Sequence, residues 1–147
     1  MINDDIKVTG AVSLTLIGSD GNVKDTREDH NLVVTGGKGV IADRMKGTPA
    51  LGAMTYMGVG SGTVAAAVGD SDISVLGARV LLDSTAVAGA VITYVCTFNA
   101  GVSSGAVTEA GIFNASTAGT MLSRVMFPVV NKAAGDTMII TWTITIS

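Results

Sequence analysis

Apolar and polar residues alternate along much of this chain, the period-two signature of strands that bury one face. Between positions 6 and 16, Ile6, Val8, Val12, Leu14 and Leu16 fall on one side, and Gly10 leaves a gap in the row. Turn formers crowd Gly18-Ser19-Asp20-Gly21-Asn22, after which Val23 to Arg27 returns with alternating charged side chains. The two arms predict a hairpin. The polar second arm is expected at a sheet edge or facing solvent, where charge discourages unwanted pairing. Further strands are predicted at about 54–59, 78–84, 90–98, 107–113 and 121–127, each bounded by Gly, Asp, Asn or Ser. The last, at 137–146, is the clearest. There Met138, Ile140, Trp142, Ile144 and Ile146 alternate with Thr141, Thr143 and Thr145, and only Ile139 breaks the pattern.

One segment switches to helical spacing. Thr35 as N-cap, Val40, Ile41 and Met45 on one side, and Gly47 as a stop predict one short helix near residues 36–46. Gly36, Gly37 and Gly39 keep it short or irregular. The Ala/Gly-rich stretch at 64–69 reads as a loop. A length of 147 residues supports one core. The expectation is therefore all-β: a single β-sandwich domain of about eight strands over 1–147, with one short helix and 1–5 as an N-terminal arm.

Composition sharpens this picture. The chain is 48% hydrophobic but only 4% aromatic, with 19 Gly and 2 Pro. Despite a mean hydropathy of +0.53, Gly, Ser, Thr or Asp interrupts every apolar run before membrane-spanning length, so no membrane association is expected. The opening residues carry acidic groups where a secretory signal would carry basic ones, so export by that route is not expected. Nine basic against twelve acidic residues give a net charge of −3, the wrong sign for nucleic acid. Charged residues make up 14%, and 13 of them lie in the first 50 positions. Soluble domains carry about 25%, so much of this surface is expected to be covered in a permanent assembly.

Candidate chemistry is sparse. His30 is the only histidine, and its acidic neighbours Glu28 and Asp29 are adjacent in sequence, which rarely gives triad geometry. Gly58-Val59-Gly60-Ser61-Gly62 lacks the third glycine of a dinucleotide loop, because position 63 is Thr, and Gly37-Lys38 lacks the Walker spacing. Asp70 and Asp72 could face a cation, but Ser74 is a poor continuation of a calcium loop. Cys96 is alone, which excludes an intrachain disulfide and a cysteine zinc cluster. Asn114-Ala115-Ser116 matches a glycosylation acceptor but wants secretion. No catalytic residue, cofactor or metal is expected. Glu109 differs: it is a lone carboxylate within Val107-Thr108-Glu109-Ala110-Gly111-Ile112-Phe113. Turned inward, it needs Arg79, Arg124 or backbone N–H groups to offset desolvation, which predicts a structural ion pair.

His30-Asn31-Leu32-Val33-Val34-Thr35-Gly36-Gly37-Lys38, running on to Ile41-Ala42-Asp43-Arg44, resembles small virion proteins of tailed bacteriophages. Met57 to Thr63, Thr108 to Asn114, Val130-Asn131-Lys132 and Ile140 to Ile144 follow in the same order, so the resemblance spans most of the chain. It implies a β-sandwich module of the capsid cement or decoration type, with relatives in tail fibres, tailspikes and collars, and no active site. The implied partners are the phage major capsid protein, bound on the outer face of the shell, and further copies of the chain itself. Symmetry favours a trimer, with a dimer as the alternative. Such a protein is made in the bacterial host cytoplasm and ends on the virion. A tail-fibre or baseplate role is the competing expectation, although the chain has no shaft or coiled-coil segment. Glycan binding would need exposed aromatics, and Trp142, Tyr56 and Tyr94 all fall in predicted strands. Met1, Ile2, Asn3, Asp4 and Asp5 precede the first patterned strand and are the expected arm to a neighbour.

Overall fold

The computed structural model describes residues 5–147. The expected arm therefore lies outside the described residues except for Asp5, which is exposed and precedes the first strand. The fold is all-β, with nine antiparallel strands and one short helix among the described residues. In chain order these are β1 (Val8–Ile17), β2 (Val23–Val33), α1 (Thr35–Asp43), β3 (Tyr56–Gly60), β4 (Leu76–Leu81) and β5 (Ser84–Ala88). Then follow β6 (Val91–Phe98), β7 (Gly105–Phe113), β8 (Met121–Lys132) and β9 (Thr137–Ile146).

The strands form one curled sheet in the order β4-β3-β7-β8-β2-β1-β9-β6-β5. The curl turns on β2. Its length pairs with β1, from Gly10↔Asn31 to Ile17↔Val23, whereas only Leu32 and Val33 pair with β8. The two halves of the sheet therefore face each other across one core. Val12 and Leu14 from β1, Trp142 and Ile140 from β9, and Val125 and Ile112 from the other half share it. Closure is completed between β4 and β6, where the Cys96 thiol donates to the carbonyls of Val80 and Leu81 at 3.7 and 3.6 Å.

Period-two patterning explains most of these elements. In β9 Met138, Ile140, Trp142 and Ile144 are buried, while Ile139 is half-buried on the opposite face with the threonines, whose hydroxyls lie beside Ala11 and Ser13 of β1. Several expectations need correction. β2 runs to Val33 rather than ending near Arg27, and only Lys24 and Glu28 of its charged residues are exposed, whereas Asp25, Arg27 and Asp29 are half-buried opposite Leu16, Leu14 and Val12 of β1. β2 lies inside the strand order, not at an end of it. His30 consequently sits within β2 instead of terminating it. β5 had no counterpart in the sequence pattern.

The helix also differs from its prediction. Thr35 is its first residue, and the N-cap is Val34, which caps with no side-chain hydrogen bond. The chain passes straight from β2 into α1, with the Val34 N–H on the Leu122 carbonyl at 3.2 Å and the Thr35 N–H on the Val68 carbonyl at 2.8 Å. The helix stops at Asp43, short of Gly47. There the Asp43 carboxylate accepts the Leu51 N–H at 2.8 Å and pairs with Lys46 at 2.9 Å, which draws the chain into a loop. Met45 thus lies beyond the helix and is 85% exposed. Gly37 is required where α1 meets β8, because any Cβ there would overlap the Leu122 carbonyl.

Candidate interaction surface

The charged residues of the second half of the chain are largely used inside it. Glu109 on β7 is fully buried, and the carboxylate gathers donors from three segments. Its Oε1 accepts the Ser74 N–H at 2.7 Å and an Arg124 Nη2–H at 3.0 Å. Its Oε2 accepts the Ser74 hydroxyl at 2.9 Å, the Val75 N–H at 3.2 Å and the Gly62 N–H. Burial alone would raise the carboxyl's pKa. The Ser74, Arg124 and Val75 donors together outweigh burial and hold it below the ordinary 4.5. The group is an ionised, internally satisfied anchor.

Arg124 on β8, also buried, extends that anchor. Its Nη1 pairs with Asp70 Oδ2 at 2.8 Å and its Nη2 donates to the Val64 carbonyl at 2.7 Å. Asp70 in turn accepts the Ala67 N–H at 2.8 Å, a bond that lowers its pKa. Residues 61–75, which join β3 to β4, are therefore held at both ends and in the middle. What this clamp presents to water is apolar. Val64 is 62% exposed and Val68 50%, and neither Ala65 nor Ala67 is covered. No charged side chain lies between Ser61 and Gly69.

Arg79 was the other expected partner of Glu109, and the structure places it elsewhere. It pairs with Asp72 at 3.3 Å, donates to the carbonyls of Ala115 and Ala118, and lies 3.6 Å from the Phe113 ring centroid. Asp70 and Asp72 are thus engaged by two different arginines. Among the described residues no group of three or more His, Cys, Asp or Glu converges on a point that could hold a metal ion. Of the glycines at 58–62 only Gly62 turns its N–H to an anion, and that anion is the chain's own Glu109. The Asn114 amide is spent on a turn, accepting the Thr120 N–H at 2.7 Å. His30 is exposed on the outer face beside Ala11 and Thr143, with no hydrogen-bond partner among the described residues. Trp142 and Tyr94 are buried and Tyr56 is half-buried against Phe113.

A second apolar feature lies at the far end of the sheet. A groove of about 420 Å³ opens between Ile41 and Met45 on one side and Thr85, Val87, Ile92 and Ile146 on the other. Arg44 is the only charged residue lining it among the described residues. Sequence reasoning weighed Ser74 only as a continuation of Asp70 and Asp72 and missed it as a donor to Glu109, 35 residues away. It also missed the buried Lys132, whose ammonium donates to the Asn99 carbonyl at 2.9 Å. Comparison of the chain with protein-family models, with curated proteins and with solved structures finds no match. Among the described residues no helix is long and apolar enough to cross a membrane.

Proposed function

We propose that this chain is a non-catalytic virion protein that binds the outer surface of a tailed-phage capsid as a cement or decoration protein. The observation that carries this reading is the loop at 61–75. Its apolar, uncharged tip is held by a clamp of the buried Glu109 and Arg124 with the half-buried Asp70. Ordering such a loop in advance lowers the entropic cost of docking, and apolar groups left in water favour a protein surface that covers them. The low charge of the whole chain supports the same reading, as does its resemblance to virion modules.

A cement protein needs many copies that each bind moderately, because repetition over a shell multiplies weak contacts. The major capsid protein is the partner in this reading, and self-association supplies the bridging between neighbouring subunits. Quantitative mass spectrometry of purified particles tests it. Hundreds of copies per particle are expected. A handful of copies would transfer the protein to the tail fibre or baseplate, and absence from particles would end the virion reading.

A further inference from the structure

The strand order ends at β4 and β5, yet the sheet closes between β4 and β6. β5 continues β4 after Leu82 and Asp83, whose N–H groups donate to the Thr55 and Val95 carbonyls at 2.9 and 2.7 Å, and so forms the end strand of the half that holds β6. All five of its residues are exposed, and its hydrogen-bonding edge away from β6 has no backbone partner among the described residues. Natural edge strands are protected by charges, prolines or bulges. Ser84-Thr85-Ala86-Val87-Ala88 has no charge and no proline, and its register with β6 runs unbroken from Ser84↔Val95 to Ala88↔Val91. The opposite edge is different, since β4 carries Arg79 and pairs with β3 across a register shift. Directly under the inner face of β5 lies the apolar groove, with Val87 69% exposed at its mouth.

We propose that β5 pairs antiparallel with β5 of a second copy across a two-fold axis, joining two sheets into one and closing both grooves. A row of unpaired N–H and C=O groups is satisfied by another strand. This segment can meet itself without opposing like charges. The two-fold sets Ala86 opposite its counterpart and Thr85 opposite Val87, so that the valines cover apolar groove walls that water now touches. A five-residue ladder alone falls short of the roughly 1,200 Å² of a stable interface. Met45 and Ile146, exposed at the groove rim, must therefore join the contact. An isologous contact closes at two subunits, so the product is a dimer and not the trimer that symmetry on a shell would favour. The inference rests on the self-association part of the reading above and not on the shell.

Sedimentation velocity of the full-length chain over a range of concentrations tests it. The wild type is expected to be a dimer, and Val87→Glu, a change at an exposed position, a folded monomer by circular dichroism. Ala86→Lys and Ala86→Glu place like charges across the axis. Each is expected to be monomeric alone, and an equal mixture of the two to recover the dimer. Should Val87→Glu not fold, this charge pair decides the matter by itself, since Ala86 points from the outer face. A wild-type monomer, a trimer, or a dimer that survives these substitutions would overturn the proposal. Hundreds of copies on the shell from a protein monomeric in solution would sink this inference and leave the cement reading standing. A dimer absent from particles would do the reverse.

Discussion

At the scale of single residues, Glu109 decides most. Glu109→Gln keeps the shape but removes the fully buried one of the two carboxylates that pair with Arg124, the other being Asp70, and breaking a buried pair typically costs about 3–5 kcal/mol. Urea titration is expected to show a loss of that order, and an unchanged midpoint would mean that the carboxylate is not the anchor. The pH dependence has a definite sign. Glu109, Asp70 and Asp136, the last a buried carboxylate that accepts from Lys24 at 2.7 Å and from the Ala133 N–H at 2.8 Å, all have folded pKa values below their ordinary ones of 4.5, 3.8 and 3.8. In that window the unfolded chain binds more protons than the folded one. Their contribution is thus complete above the ordinary values and lost as pH falls through them toward the folded ones. The urea midpoint is expected to hold from neutrality to about pH 5 and then to fall; a midpoint unchanged at pH 3 would contradict the assignment.

Glu109 was legible in the sequence because a lone carboxylate in an apolar strand must find partners. Which arginine answers it was not legible. β8 pairs with β7 so that Arg124 lies opposite Gly111, two positions from Glu109, and reaches it along the sheet. Arg79 lies opposite Gly58 and turns to Phe113 instead. Only the strand order separates the two, and alternation within each strand does not encode it.

At the scale of elements, strands with a buried face were found wherever apolar residues alternate, as in β1 and β9. β5 was invisible for the physical reason that none of its residues is buried, so no pattern is imposed on it. The start of α1 was misplaced because Val34 is fixed by the sheet rather than by a side-chain cap. The stretch at 64–69 reads as a loop in the sequence, but the order of the whole segment 61–75 comes from distant β7 and β8. Gly62 is the point at which that order is most easily broken, because any Cβ there would overlap the Ser74 hydroxyl and the Glu109 carboxylate. Gly62→Ala is expected to cost about 1–3 kcal/mol, as overpacking does, and to make residues 63–68 more sensitive to limited proteolysis. Wild-type resistance in the variant would show that the clamp does not order the loop.

At the scale of the whole molecule, the low charge content led to the expectation of a covered surface, whereas the structure shows that several of the few ions, Glu109, Arg124, Lys132 and Asp136, are buried inside the chain itself. Global opening can be followed at Cys96. Burial, and secondarily the Asp83 charge, push its thiol up to about 12, so the folded protein keeps it protonated and unreactive. Alkylation at mildly alkaline pH is expected to proceed only at the rate of unfolding, and rapid labelling of the native protein would show that the β4–β6 closure opens on its own.

The most direct measurement of the central claim compares particle occupancy of the wild type with that of a Val64→Ser, Val68→Ser double variant whose melting temperature is unchanged. Both side chains are largely exposed, so the fold should not register the change. Occupancy is expected to collapse; full occupancy by the variant would contradict the role assigned to this loop.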